Sequence, residues 1–337
     1  MTVVSPTQRP LTTDDVAYLV RASFGPRSRV VGAGPLTGGG YATVWWASLD
    51  DGSRVVLKVA PPAATPLLRY ERGLCAAEAR YFRLVAERAP RVPVPAVLHH
   101  GSDPAYGEWL VTAMLPGRSL SELSGHGVDD GPARYDLGVA LAALHGVTGD
   151  RFGYDSGRAG GATWREAFTA MLDDLLADAA DWRVPLPVTG DDLHALVRRH
   201  ADVLDEVRRP ALLHFDCWDG NVLAAPDADG RLRLRGLVDG ERYLYGDPLL
   251  DLVSPLLFRR VEDEPDHPLL EGYRAAGGEP LVLDASARRR LALYRLHLYL
   301  LMTVEMPSRG MTPSSHPGRH DRLAVLLGEE IGALGPV

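Results

Sequence analysis

Two carboxylates and a carboxamide carry the strongest chemical signal in this chain. Asp216 and Asn221 belong to the run His214-Phe215-Asp216-Cys217-Trp218-Asp219-Gly220-Asn221, and Asp239 follows the apolar pair Leu237-Val238. An aspartate at the end of a strand accepts a hydrogen bond from a hydroxyl and takes its proton late in a transfer. An amide oxygen and a second carboxylate, joined by phosphate oxygens and water, give the all-oxygen coordination that magnesium prefers. The combination suits phosphoryl transfer from ATP to an alcohol, with Asp216 as the base and Asn221 and Asp239 as metal ligands. Alone, each of these residues is more often a local cap or a turn; their spacing favours the chemistry.

Composition narrows the field around this signal. The chain has 337 residues, 46% hydrophobic and 24% charged, which is ordinary for a folded globular protein and argues against disorder. A net charge of -8 argues against nucleic acid or an anionic membrane as a partner and suits a cationic one. Cys75 and Cys217 are too few for a disulfide framework, so a reducing cytoplasm is expected. Met1 to Asp15 lacks the apolar core of a signal peptide. The apolar stretch Leu291 to Met302 is interrupted by Arg295 and His297 and is too short for a membrane span.

Several elements must position the three residues. Val30 to Ala60 reads as paired strands with a turn at Asp50-Asp51-Gly52, and Leu74, Ala77, Tyr81, Leu84 and Val85 mark one face of a helix. A strand over Glu108 to Met114 ends in Leu115-Pro116-Gly117, which separates a small strand-rich lobe, residues 1–113, from a mainly helical lobe, residues 114–337. The fold class is α+β. In the second lobe Pro132 opens one helix, a Thr163/Glu166 capping box opens another to about Trp182, and a third runs from Asp191 to Arg209. Two short strands flank residues 216–221, and a hairpin through Asp227 to Gly230 delivers Asp239. Lys58 stands inside the apolar strand Val55 to Val59, where a charge is costly unless paired.

A resemblance sharpens the reading. The segments "LLHFDCWDGNVL" and "GLVDGERYLYGDPLLDL", preceded in order by "VVLKV", "VPVPAVL", "LPGRSL" and "LAALH", cover about residues 30 to 255. They resemble the aminoglycoside phosphotransferase family, whose usual forms are close to "HGDLHPGNIL", "IDWE" and "GDPxxDLA". The departures are Phe215 where glycine is common, Trp218-Asp219 where His-Pro is common, and Gly240 where tryptophan is common.

The resemblance implies a two-lobed, protein-kinase-like fold with ATP at the hinge, GTP left open, and a small-molecule acceptor in the helical lobe. Asp216 matches the base position, and Asn221 and Asp239 match the two magnesium ligands. It sets Lys58 against the phosphates, steadied by a helix glutamate for which Glu78 is the candidate and Glu71 the reserve. Gly39 and Gly40 would approach the phosphates, and Thr112 to Met114 would form the hinge that bonds adenine. Asp247 reads as a helix cap, Asp251 as a buried brace for the catalytic loop and His214 as a core histidine.

The expected activity is an ATP-dependent O-phosphotransferase acting on a small hydroxylated cationic molecule. An antibiotic of aminoglycoside or cationic peptide type is favoured, and a metabolic kinase for choline, homoserine, a fructosamine or a sugar is the alternative. Asp219 and Glu241 are candidate acceptor ligands by their nearness to Asp216 and Asp239. The acidic run Asp173, Asp174, Asp178 and Asp181 is either a solvated face or a border for a cationic acceptor.

Overall fold

The computed structural model describes residues 5–36, 38–124, 127–277 and 281–335. It begins with a helix that is an addition to the expected elements, α1 (Thr13–Phe24). Its signal stands in the sequence: Thr12 and Asp15 form a reciprocal capping box, and Val16, Leu19 and Val20 share one buried face. The strands β1 (Val30–Pro35), β2 (Thr43–Leu49) and β3 (Arg54–Val59) follow, joined as expected through the Asp50-Asp51-Gly52 turn. Helix α2 (Leu74–Arg88) leads to β4 (Val97–Asp103), a second addition, and β5 (Gly107–Ala113).

These strands form one antiparallel sheet in the order β1-β2-β3-β5-β4. Strand alternation divides its side chains between two faces. Val55, Leu57, Val59, Trp109 and Val111 pack with Val16, Leu19 and Val20 of α1 in a small separate core. Leu110 points the other way and joins α2 in the large core that continues into the helical lobe. Helix α2 therefore couples the sheet to the rest of the molecule.

Beyond Ala113 come β6 (Arg118–Ser119), α3 (Leu120–Leu123), α4 (Gly131–His145), β7 (Phe152–Tyr154), β8 (Gly160–Gly161) and α5 (Trp164–Asp181). Then follow α6 (Gly190–Arg199), α7 (Ala201–Leu204), β9 (Ala211–Leu213), β10 (Val222–Pro226), β11 (Leu232–Leu237) and β12 (Leu244–Gly246). Helices α8 (Pro268–Ala275), α9 (Ala285–Val304) and α10 (Pro317–Ala333) complete the chain. The helix expected over Asp191 to Arg209 is thus two helices. The chain leaves helical geometry at His200 (φ -105°, ψ 22°), a buried residue whose Nε2 meets the Leu334 carbonyl at 2.8 Å. Small sheets β8-β7-β12-β9 and β11-β10-β6 hold the two ends of the loop over residues 214–221, β9 in the first and β10 in the second.

Helices α4 and α8 touch backbone to backbone. A Cβ on Gly138 would lie 1.9 Å from the Leu269 carbonyl oxygen, and one on Gly272 would lie 1.9 Å from that of Tyr135. Gly138→Val is expected to cost about 3 kcal/mol or more, the upper end for overpacking, because backbone cannot step aside as a side chain does. Gly328→Ala on α10, where an added Cβ meets nothing within 4 Å, is expected to be neutral or slightly stabilising. Urea midpoints of the two variants check the contrast; equal midpoints would refute the close crossing.

The long helix α9 is buried almost all round. Its Arg295 pairs with Glu262 at 2.7 Å and with Glu330 of α10 at 3.0 Å, so the charge is compensated inside the lobe. Among the described residues no helix is long and apolar enough to cross a membrane.

Candidate active site

The loop that carries Asp216 is built on a buried aspartate. Strand β9 is fully buried, and as it ends the N–H groups of His214 and Phe215 donate to the two carboxylate oxygens of Asp251, at 2.9 and 2.6 Å. Phe215 takes φ 68°, a left-handed conformation that costs energy for a residue with a Cβ. The family resemblance has glycine at this position, and this backbone is the reason glycine suits it. The chain then turns so that the Asp216 N–H donates to His214 Nδ1 at 3.3 Å, while His214 Nε2 meets the Val238 carbonyl at 3.0 Å. The Asn221 amide donates to the Asp216 carbonyl at 2.9 Å, and the Val238 N–H donates to the Asn221 carbonyl at 3.1 Å. Residues 214–221 and Val238 are thereby sewn together.

Asp239 follows directly, again in the left-handed region at φ 60°. The Lys58 ammonium from β3 donates to it and to Glu78 of α2, the latter at 2.6 Å, with Glu241 3.6 Å away. Gly240 leaves room for Tyr81 of α2, whose ring would lie 2.1 Å from an added Cβ.

Burial dominates the electrostatics. The Asp216 carboxyl is pushed up to about 7, first by burial and then by Glu241, Glu305 and Asp239, against the pull of Arg242 at 3.7 Å. Burial opposes the charge on Lys58, but Asp239, Glu78 and Glu241 together hold it well above an ordinary lysine. Burial likewise raises Glu78, helped by Glu241 and Asp239 and opposed by Lys58. Lys58 outweighs burial at Asp239 and lowers it.

One ammonium therefore faces three carboxylates. Oxygens of Glu78, Asp239 and Glu241 lie within 4.8 Å of one another, and Glu241 Oε2 is buried without a hydrogen-bond partner. This excess of oxygen donors and negative charge fits a magnesium ion. Asn221 spends its amide nitrogen on Asp216, which leaves the amide oxygen as its metal-binding atom.

Other expected site residues fall elsewhere. Asp219 is held by Arg134 through paired bonds of 3.0 and 2.9 Å, away from the role of a free acceptor ligand. Glu241 belongs with the Lys58 cluster. The Gly39 and Gly40 carbonyls accept from Gln8 Nε2 and Thr7 Oγ1, so the loop is pinned by the segment before α1. Thr112 pairs with Val56 and Val97 inside the sheet, and the Met114 N–H donates to the Arg54 carbonyl at 3.0 Å. That N–H is therefore not free for adenine.

Glu71, the reserve partner for Lys58, instead binds Arg309. Asp251 is the buried brace expected of it, and Asp247 caps the turn at Leu249. The acidic run is no simple solvated face. Asp178 is buried against Arg69, and Asp174 and Asp178 line a small enclosed cavity with Tyr70, Tyr154, Met171 and His297.

A relay of charges escaped the sequence reading. Arg242, beside Asp216, also binds Glu305 at 2.7 Å, and Tyr70 donates to the same carboxylate. Arg242 is adjacent to the recognised motif, but Glu305 lies at the end of α9 with no local pattern to mark it.

Solved structures similar to this one include small-molecule kinases and phosphotransferases. A candidate fructosamine-3-kinase from Thermobifida fusca is 21% identical, with a TM-score of 0.65 over 94% of this chain and 99% of that one. The aminoglycoside phosphotransferase APH(4)-Ia, as a thermostable mutant, is 17% identical, with a TM-score of 0.59 over 95% and 100%. A macrolide 2'-phosphotransferase type I is 20% identical, with a TM-score of 0.56 over 93% and 98%. No curated protein matches the chain significantly. Residues 33–294 match the model of APH, the phosphotransferase enzyme family, and the chain belongs to that family. It is a phosphotransferase with an alcohol group as acceptor.

Proposed function

We propose that the protein is an ATP-dependent O-phosphotransferase that modifies a hydroxyl of a small cationic molecule, an antibiotic of aminoglycoside or cationic peptide type, and so inactivates it. The observation that carries this reading is the gathering of Asp216, Asn221, Asp239 and the Lys58–Glu78 pair into one hydrogen-bonded, electrostatically coupled group. A structure of a thermostable APH(4)-Ia mutant is a ternary complex with AMP-PNP and hygromycin B, which supports an adenine nucleotide and a small hydroxylated acceptor here. The chain's net charge of -8 supports a cationic acceptor.

In this mechanism Asp216 accepts the acceptor's hydroxyl proton, and a carboxyl near 7 is matched to that task at neutral pH. Lys58 exchanges Asp239 for the nucleotide phosphates, and Glu78 keeps the ammonium aimed while that happens. Asn221 and Asp239 would hold magnesium, which neutralises charge developing on the transferred group. Lys58→Ala is expected to lower kcat/KM for ATP about 10²-fold or more, on the scale of losing one charge-stabilising group, and Glu78→Gln less. Steady-state kinetics with varied ATP check both; a larger loss for Glu78→Gln than for Lys58→Ala would contradict these roles.

A metabolic kinase for choline, homoserine, a fructosamine or a sugar is the second reading, favoured by the TM-score of 0.65 to the candidate fructosamine-3-kinase. A screen of hydroxylated antibiotics and metabolites, read as ADP release with mass detection of an added phosphate, separates the two. A neutral metabolite as the preferred acceptor would overturn the cationic-drug reading and leave the phosphotransferase standing.

A further inference from the structure

Three ligating side chains meet beside the Lys58–Glu78–Glu241 cluster, without sharing its ligand atoms. Cys75 lies in the first turn of α2, His100 on β4 and Glu108 on β5. One ligand atom from each lies within 4.8 Å of the others, and His100 Nε2 meets the Glu108 carboxylate at 2.7 Å. We propose that Cys75, His100 and Glu108 form a binding site for a divalent transition metal of the zinc class.

The chemistry of the set selects the ion. Thiolate and imidazole are soft or borderline ligands that favour zinc-like ions over magnesium, and a carboxylate completes a mixed set of the kind zinc accepts. A thiolate and a carboxylate balance the charge of a divalent ion, and the imidazole remains neutral. Bonds of about 2.0 to 2.3 Å in a tetrahedron set ligand atoms roughly 3.2 to 3.8 Å apart. Cys75 has to draw in by about 1 Å or less for that geometry, within the reach of one rotamer adjustment. Burial, with Glu108 and Glu78, holds the metal-free Cys75 thiol well above the usual thiol range, so an ion that binds there displaces its proton. Cys75 is buried, whereas His100 and Glu108 are 23% and 29% exposed, so an ion enters from their side and keeps one position open.

The site ties α2 to β4 and β5. Glu78 follows Cys75 by one helical turn and holds Lys58, so an occupied site restrains the helix that aims the lysine.

The test is a Co2+ titration of the reduced, metal-free, full-length protein. Wild type is expected to develop a thiolate-to-cobalt charge-transfer absorption that saturates at one equivalent, is abolished by Zn2+, and accompanies a rise in Tm. Cobalt held by the oxygens of Asp239 and Glu241 gives no such absorption, which keeps the two sites distinguishable. Cys75→Ser is expected to lose the absorption, and Cys217→Ser to retain it. His100→Ala and Glu108→Gln are expected to bind at least about tenfold more weakly, as direct ligands should when even their supporting partners matter on that scale. Should Cys75→Ser fail to fold by circular dichroism, these last two variants carry the test. Absence of the absorption in folded wild type, its survival in Cys75→Ser, or unchanged affinity in both His100→Ala and Glu108→Gln would overturn the site.

Discussion

Asp216→Asn is expected to lower turnover by about 10² to 10⁴, the usual cost of losing a general base, with ATP binding retained because size and shape hardly change. The same substitution is expected to raise the stability of the nucleotide-free protein. The Asp216 carboxyl sits near 7 in the folded chain against 3.8 for the free side chain, chiefly through burial. Between about pH 4 and pH 7 the folded protein therefore holds a proton that the unfolded chain has released. Stability from this group is fully present below pH 4 and is lost as pH rises through 7. At about 1.36 kcal/mol per pH unit the loss has an upper limit of roughly 4 kcal/mol, reduced in practice by partial solvent access and by the Arg242 partner. Asparagine has no such proton to lose. Tm measured for both proteins at pH 5 and pH 8 should show a gap in favour of Asp216→Asn that widens at pH 8. Near-normal turnover, or parallel pH profiles of Tm, would remove Asp216 from the role of buried base.

Asp251→Ala is expected to be the most damaging change outside the reacting groups. Its carboxylate is fully buried and accepts from the His214 and Phe215 N–H groups, with His145 Nε2 3.1 Å away. Alanine leaves two backbone donors without a partner, each at about 1 to 3 kcal/mol, for a loss of roughly 3 to 5 kcal/mol. That is a large share of the total stability of a protein this size. Asp251→Asn keeps one acceptor oxygen and should fall between the two in Tm. Its kcat should drop more than its KM for ATP rises, because the loop that aims Asp216 loosens while the Lys58 side of the cleft stays intact. A variant with normal kcat and depressed Tm would show that Asp251 supports the core without positioning the base.

The candidate site residues stood out in the sequence for a physical reason. Asp216, Asn221 and Asp239 sit within one hairpin's length of chain, and few residue types can accept a proton or bind magnesium. Lys58 was conspicuous because an ammonium inside an apolar strand needs a partner, and Glu78 on the apolar face of α2 supplies it at 2.6 Å. Partners far apart in sequence were invisible. Arg134 is 85 residues from Asp219 and Arg242 is 63 from Glu305, and no periodicity encodes such pairings. The two helices over residues 190–204 read as one because Leu196, Val197, Val203 and Leu204 keep an apolar rhythm across the break at His200. Helix α1 went unread although its capping box stands in the sequence, whereas β4, with His99, His100, Gly101 and Ser102, carries little strand signal of its own.

Phe215 links two parts of the molecule that evolution would otherwise tune separately. Its backbone is part of the loop that carries Asp216, and its ring packs against Tyr154 and against His297 of α9. Glycine would relieve the left-handed backbone but surrender that packing and loosen the unfolded chain. With phenylalanine there, a substitution at His297 that changes the packing of the ring is expected to be felt by the loop that carries Asp216. Adaptation to a new acceptor can thus proceed from the lobe interior, at positions that never touch the molecule being modified.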